Sequence, residues 1–257
     1  TKNVVQIGSQ AEDLSLELQK GAGTYQPIAV GDDVIDGGAG NDIVFGDTIN
    51  TDALPWGQYG LPPRPADLPD GSGVEALERF LEARDGVAPS ESDLLDYIRA
   101  NHEAFNVAGD MRGGDDTLNG GDGNDIIYGQ GGDDIIRGGA GNDILYGGTG
   151  ADNFVWQPGD MGNDVIADFV AGEDVIDLSA LPDDYQVNML DDPSGDLLIT
   201  ILDGNGNEFG TIEVQDVLSS DLANGQDILL PAAGGGAPAP FAALLGVQSP
   251  SFGAEPV

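Results

Sequence analysis

Residues 120–155 read GGDGNDIIY from Gly120, GQGGDDIIR from Gly129, GGAGNDILY from Gly138 and GGTGADNFV from Gly147, four units in one register of nine. The frame continues upstream as MRGGDDTLN from Met111. Across a long interruption it recurs as IAVGDDVID from Ile28 and GGAGNDIVF from Gly37. Two positions keep their character in all seven units. The sixth is aspartate: Asp33, Asp42, Asp116, Asp125, Asp134, Asp143 and Asp152. The eighth is apolar: Ile35, Val44, Leu118, Ile127, Ile136, Leu145 and Phe154. A Gly/Asp-rich linker has no reason to keep an apolar side chain every nine residues, so the period marks stacked structural units.

Each unit divides into a glycine-rich turn and three strand residues. Strand alternation sends the eighth residue inward and the seventh and ninth outward. Two turns and two strands close one coil of 18 residues, so turns 18 apart stack in the same row. The turns collect backbone carbonyls and carboxylates on one side. An all-oxygen cage of that kind suits a hard cation with about 6–8 ligands at ~2.3–2.6 Å, calcium rather than magnesium, which keeps its waters.

These nonapeptides resemble the RTX family, whose repeats form a parallel β-roll with calcium between stacked turns. The resemblance implies a mainly β fold: a parallel β-roll (an RTX β-solenoid) with a helical-hairpin insertion and a C-terminal β-rich cap. It also implies a ligand set. Carbonyls of positions one and three come from one turn, here Gly37, Ala39, Gly120, Asp122, Gly129, Gly131, Gly138 and Ala140. Carbonyls of positions two and four come from the next, here Gly114, Gly121, Gly123, Gly132, Gly139, Gly141, Gly148 and Gly150. The sixth-position aspartates complete the set. Residues 159–167 read as an eighth, frame-shifted turn with Asp164 as its acid. Asp33, Asp116, Asp134 and Asp152 then form one row of turns, and Asp42, Asp125, Asp143 and Asp164 the other. Neighbouring pairs make room for five or six calcium ions.

Outside the repeats the chain divides by composition. Residues 1–27 read as strands ending a preceding module or capping the roll, and 28–47 as the first coil. After Phe45 a turn starts with Gly46-Asp47, breaks off, and resumes at Gly113-Gly114-Asp115-Asp116, so one turn is split by an insertion over 48–110. Its first part is proline-rich. Ser72-Gly73-Val74-Glu75 predicts a capping box and a helix to about Arg84, ended by Gly86. Ser90 with Asp93 predicts a second helix to about Phe105, the pair packing on the roll through outward residues such as Ile43 and Phe45. The main roll covers 111–155, a capping and export region 156–230, and an uncharged Ala/Gly/Pro-rich tail 231–257.

Composition excludes several function classes. The 257 residues hold 46 acidic and 8 basic side chains, a formal charge of −38. Such a chain lacks the cations needed to neutralise phosphates or dock on anionic lipid. No cysteine is present, and the one histidine, His102, precludes a multi-histidine zinc site. His102-Glu103-Ala104-Phe105-Asn106 opens like a zinc-protease helix, but asparagine stands where the second histidine belongs. Asp203-Gly204-Asn205-Gly206-Asn207 resembles the start of an EF-hand, yet Glu208 and Val214 occupy its glycine and bidentate-glutamate positions, so a hairpin turn is expected. The acidic pairs Asp183-Asp184 and Asp191-Asp192 read as solvated loops. Tyr128 and Tyr146, 18 apart, stack on the outer face, where packing is expected ahead of ligand contact. No apolar run is long enough to span a membrane. No signal peptide opens the chain, and Thr1 is not an initiator methionine, so a piece of a longer protein is expected.

The phrase Phe45-Gly46-Asp47-Thr48-Ile49-Asn50-Thr51-Asp52, followed by Leu54-Pro55-Trp56, the helix pair and Phe105-Asn106-Val107-Ala108-Gly109-Asp110, resembles the C-terminal RTX region of giant biofilm adhesins of Gram-negative bacteria. That resemblance implies a non-enzymatic module for calcium-dependent folding and type I secretion, monomeric, at the cell surface. Its implied partners are calcium, the type I secretion machinery and, through the parent adhesin, a surface glycan or protein. Two alternatives stand beside it: a glycan- or protein-binding module, and the RTX region of a secreted enzyme whose catalytic domain lies outside this chain. Thr149 alone occupies a third turn position, so no threonine ladder for ice binding exists.

Overall fold

A computed structural model describes residues 5–7, 32–160, 162–222 and 226–231 of the chain. Most of the expected N-terminal strands and of the uncharged tail lie outside the described residues. The strands are β1 (Val5–Ile7), β2 (Val34–Asp36), β3 (Ile43–Phe45), β4 (Thr117–Asp122), β5 (Ile126–Gly131), β6 (Ile135–Ala140), β7 (Ile144–Thr149) and β8 (Asn153–Val155). They continue as β9 (Asn163–Ile166), β10 (Val175–Asp177), β11 (Gln186–Asp191), β12 (Leu197–Leu202), β13 (Glu208–Val214) and β14 (Ile228–Leu229). Two helices, α1 (Gly73–Asp85) and α2 (Glu91–Asn101), lie between β3 and β4.

From β2 to β10 successive strands alternate between two sheets, as an 18-residue coil requires. One sheet runs β1-β3-β5-β7-β9-β13-β12-β11, the other β14-β10-β8-β6-β4-β2. Within the roll every ladder is parallel and keeps the eighth positions in register. Ile35, Leu118, Ile136, Phe154, Ile176 and Ile228 form one column. Val44, Ile127, Leu145 and Ile166 form the other. All ten are buried in one apolar cluster, so the core of the roll is one side chain deep from each sheet. The fold class is therefore a parallel β-roll with a helical-hairpin insertion and a β-rich cap.

The cap grows from the roll without a break. β13 pairs in parallel with β9, and β12 and β11 follow antiparallel. Asp203 turns the β12–β13 hairpin, its Oδ1 accepting the N–H groups of Asn205 at 2.9 Å and Asn207 at 2.8 Å, which is the Asx-turn role rather than an EF-hand one.

The insertion packs on the outer face of the first sheet. A second apolar cluster joins Ile43, Phe45 and Tyr128 of the roll to Leu77, Phe80, Leu81, Leu94, Leu95, Ile98 and Phe105. The ninth-position rings of Phe45, Tyr128 and Tyr146 stack with centroids 4.9 and 4.7 Å apart, one strand spacing. Tyr128 is buried, with its hydroxyl 2.8 Å from His102 Nδ1, so it supplies packing and no ligand face. Ser90 and Asp93 form the expected capping box. Ser72 does not: its own backbone is helical and its hydroxyl donates to Pro69 O, leaving α1 without a side-chain cap bond. A polar staple closes the base of the insertion. Arg112 donates to Asp110 and lies 2.9 Å from Asp52, which also pairs with Arg64, and Asn50 Nδ2 donates to Asp110.

Pairing across the insertion connects residues 83 apart where uninterrupted coils connect residues 18 apart, so 65 residues are intercalated. Met111 and Arg112 therefore belong with the insertion, two residues more than the nonapeptide count assigns to it.

Neighbouring residues of β6 test the inward–outward alternation. Ile136 is fully buried and Ile135 is 46% exposed. Ile136→Ala should cost about 2–5 kcal/mol and Ile135→Ala within about 0.5 kcal/mol, read from denaturant midpoints in excess calcium.

Candidate metal centres along the turns

Every sixth-position aspartate donates its backbone N–H to a carboxylate of the neighbouring coil. In the first row, the N–H groups of Asp33, Asp116, Asp134 and Asp152 donate to Oδ1 of Asp116, Asp134, Asp152 and Asp174 at 2.7, 2.8, 3.0 and 3.0 Å. In the second row, those of Asp42, Asp125 and Asp143 donate to Oδ1 of Asp125, Asp143 and Asp164 at 2.8, 2.9 and 3.1 Å. Each row is thus a ladder of carboxylates one strand apart.

The second oxygen of these groups decides the chemistry. Oδ2 of Asp116, Asp125, Asp134, Asp143 and Asp152 is buried and accepts no hydrogen bond. The five residues are each no more than 2% exposed. The open oxygens lie against the first residue of their own turn. A Cβ on Gly120, Gly129, Gly138 or Gly147 would collide with Oδ2 of Asp125, Asp134, Asp143 or Asp152. A Cβ at Gly121 or Gly139 in the second position would strike the carbonyl of Gly38 or Gly121 in the coil before, and φ there is +108° and +105°. Glycine is required at these places because backbone and carboxylate oxygens converge where a side chain would otherwise stand.

Buried carboxylate oxygens without donors are costly, and among the described residues no ion pair reaches them. Among the described residues no three His, Cys, Asp or Glu side chains converge as a metal cluster. A cation at these turns would be held mainly by carbonyls with the sixth-position carboxylates, and the donor set is all oxygen. The residues fit calcium. The ion would supply the positive charge and the ligand bonds that the open oxygens lack.

Burial raises the carboxyl pKa values of these acids well above the ordinary 3.8. Asp134 reaches about 8, helped by the charges of Asp152 and Asp116; Asp143 and Asp152 reach about 7, and Asp116 about 6. Burial raises Asp125 as well.

The eighth turn has the expected aspartate in an altered setting. Asp164 is in the ladder, but three extra residues lengthen the path from Asp143, an offset of 21 instead of 18. Its Oδ2 accepts the indole N–H of Trp156 at 2.8 Å, so Asp164 has no open oxygen. At the end of the first row, Asp174 Oδ2 is likewise taken, by the N–H of Val170 at 2.8 Å.

Four features were not read from the sequence. Asp174 extends the first row beyond Asp152 and is followed two residues on by the inward Ile176; that Asp-x-Ile spacing was the available signal. The fifth position carries a second ladder running the opposite way. Asn124, Asn142 and Asn163 donate their N–H groups to Oδ1 of Asn41, Asn124 and Asn142, and Asp133 donates to Asp115. Asp168 takes the N–H groups of Gly147 and Gly148. Asp47, at a second position, is buried in the split turn with its pKa raised to about 7 by burial and by Asp116.

The RTX calcium-binding nonapeptide repeat matches the chain in four copies, at residues 30–48, 112–145 and 128–155. No curated protein matches the chain. Two solved structures from Azotobacter vinelandii mannuronan C5-epimerase are similar. The AlgE6R3 subunit is 27% identical with a TM-score of 0.37, over 59% of this chain and 89% of its own. The AlgE6R2 subunit is 28% identical with a TM-score of 0.38, over 49% and 91%. The matched residues carry RTX calcium-binding nonapeptide repeats, and they are the turns and strands that form the parallel β-roll.

Two outcomes test the site electrostatics. Folding the metal-free roll binds protons, because the folded carboxyl pKa values exceed the unfolded value of 3.8. Its stability should therefore rise as pH falls: the penalty is full above about pH 8 and relieved through about pH 6 towards 4. Circular dichroism in EDTA should show more β structure at pH 5 than at pH 8, and the reverse order refutes the assignment of buried charge. Asp133→Asn should leave calcium stoichiometry by native mass spectrometry unchanged, since asparagine holds the same ladder position in the other row. Asp134→Asn should lower it.

Proposed function

We propose that this chain is a calcium-dependent folding and secretion module of a large extracellular adhesin. The observation that carries the reading is the set of five buried carboxylate oxygens without a hydrogen-bond donor, spaced along both rows of turns. Without metal, each row stacks like charges about 4.8 Å apart. Their repulsion and desolvation oppose a core only one side chain deep per sheet. Each ion bound only by the folded state adds stability by mass action, and ions shared between adjacent turns make folding cooperative in calcium.

That switch fits the route the adhesin-like phrase around the insertion implies. In calcium-poor cytosol the chain stays unfolded, the state a narrow type I channel passes. Outside a Gram-negative cell, at about millimolar calcium, where extracellular modules load, it folds and holds the exported part outside. The gaps Asp33/Asp116, Asp116/Asp134 and Asp134/Asp152 in one row and Asp42/Asp125 and Asp125/Asp143 in the other take five ions. Trp156 and Val170, which satisfy Asp164 and Asp174, end the two strings. The folded module acts as a monomer, and the surface glycan or protein is met by other parts of the adhesin.

A calcium titration followed by far-UV circular dichroism checks the mechanism. The expected result is an EDTA-reversible, cooperative gain of β structure. A roll fully structured in excess EDTA at pH 8 refutes it.

A further inference from the structure

The split turn is joined by side chains where other turns are joined by backbone. In β5·β7 the parallel ladder runs on through the turn, pairing Gln130 with Gly148 and Gly131 with Thr149. In β3·β5 it stops at Phe45↔Tyr128, because the chain leaves the roll after Asp47. In an uncut turn the third-position N–H donates to the second-position carbonyl of the coil before, as Asp122 does to Gly38 at 2.7 Å. In the split turn the equivalent donor, Gly131 N–H, meets Oδ2 of Asp47 at 3.4 Å, and Oδ1 of Asp47 accepts Gly114 N–H at 3.2 Å. The carboxylate occupies the place of the peptide group that the insertion displaced.

Gln130 completes the splice. It holds a second position, where the other turns of the main roll carry glycine, with φ at +76°. Its Oε1 accepts the N–H of Asp47 at 3.0 Å and its Nε2 donates to Thr48 O at 3.3 Å. The cradle it closes has the same form as in the uncut turns. A Cβ on Gly46 would collide with the open Oδ2 of Asp116, as one on Gly120 would with Asp125, although Gly46 and Asp116 lie on opposite sides of the insertion.

We propose that this composite turn, Gly46-Asp47 with Gly113–Asp116, is a calcium site that forms only when the insertion is docked, with Asp47 serving in place of the missing peptide group. Its consequence is reciprocal coupling: calcium at this turn tightens the insertion on the roll, and a docked insertion raises the affinity of the turn. The connection is short. Asp47 is two residues from Ile49, which is buried in the apolar cluster of α1 and α2. On the return side, Arg112 of the staple adjoins Gly113. The insertion thereby becomes the part of the surface whose docking calcium controls.

The inference rests on the calcium-binding reading of the roll, and the experiment separates the two. Amide hydrogen exchange of the full chain is followed against calcium concentration, with native mass spectrometry for ion count. In wild type, protection of α1, α2 and residues 113–116 should rise with calcium. In Asp47→Asn, which keeps an acceptor oxygen and loses the charge, the midpoint for those segments should move on the order of fivefold upward, while β6 and β7 keep theirs. Asp47→Ala should show the larger shift and one ion fewer. If β6 and β7 respond to calcium but the helices are equally protected in EDTA, or if Asp47→Asn leaves the midpoint within about twofold, the coupling is overturned alone. If no segment responds to calcium, the underlying reading falls with it.

Discussion

A carboxylate with one oxygen bonded to the next coil and the other bonded to nothing is the unit on which this structure depends. The Oδ1 bonds, such as Asp134 N–H to Asp152 at 3.0 Å, fix the register of turn upon turn. The same bonds hold the acids in line at strand spacing, and so create the repulsion that opposes the fold. A backbone N–H donor offsets part of the burial of each carboxylate, as the opposing contributions at Asp134 express. The remainder is left to a cation. On the proposed mechanism, register and metal dependence are two effects of one side chain, and the sixth position is aspartate in all seven units.

The insertion solves a different problem. A roll of this width has little interior, and its outer faces would expose the seventh and ninth side chains. Val34 and Ile135 on the uncovered sheet are 77% and 46% exposed, whereas Ile43, Phe45 and Tyr128 under the helices are buried. The second apolar cluster therefore adds burial that requires no metal, on one face and over the coils that flank the split turn. On the proposed function, the molecule combines a region held by ions with a region held by the hydrophobic effect, and they meet at Gly46-Asp47.

The period of nine made the roll legible because two constraints, an inward apolar residue and a turn acid, recur with no exception from Asp33 to Phe154. The split turn was legible for the same reason, since Gly46-Asp47 and Gly113–Asp116 each supply half of one motif. What escaped were roles that the period does not carry. Asp174 sits in a turn lengthened by an irregular loop, an offset of 22 from Asp152, where counting in nines fails. Trp156 engages Asp164 across such a loop, a contact set by three extra residues rather than by any motif. At Ser72 the local pattern of a capping box was present and the structure used it otherwise, because the preceding turn at Pro69 captured the hydroxyl. The work of Asp47 depends on a chain break, and a residue replacing a peptide group leaves no mark in a sequence beyond being a carboxylate where glycine is usual.

The two rows of turns share their hydrogen bonds and differ in charge. The fifth-position ladder is built from Asn41, Asn124, Asn142 and Asn163 in one row, and from Asp32, Asp115 and Asp133 in the other. Asparagine and aspartate both present Oδ1 to the neighbouring N–H, so geometry does not choose between them. Charge does. The aspartate row carries two carboxylates at Asp115-Asp116 and again at Asp133-Asp134, the outer one exposed and the inner one buried, and the asparagine row carries one per coil. The exposed charges are screened by solvent and salt, but they still add to the field at Asp116 and Asp152. The first row therefore meets the greater opposition without metal and gains more from each ion. That same row contains the split turn and its extra acid, Asp47, so the proposed mechanism puts the steepest dependence on calcium in the part of the roll to which the helical insertion is tied.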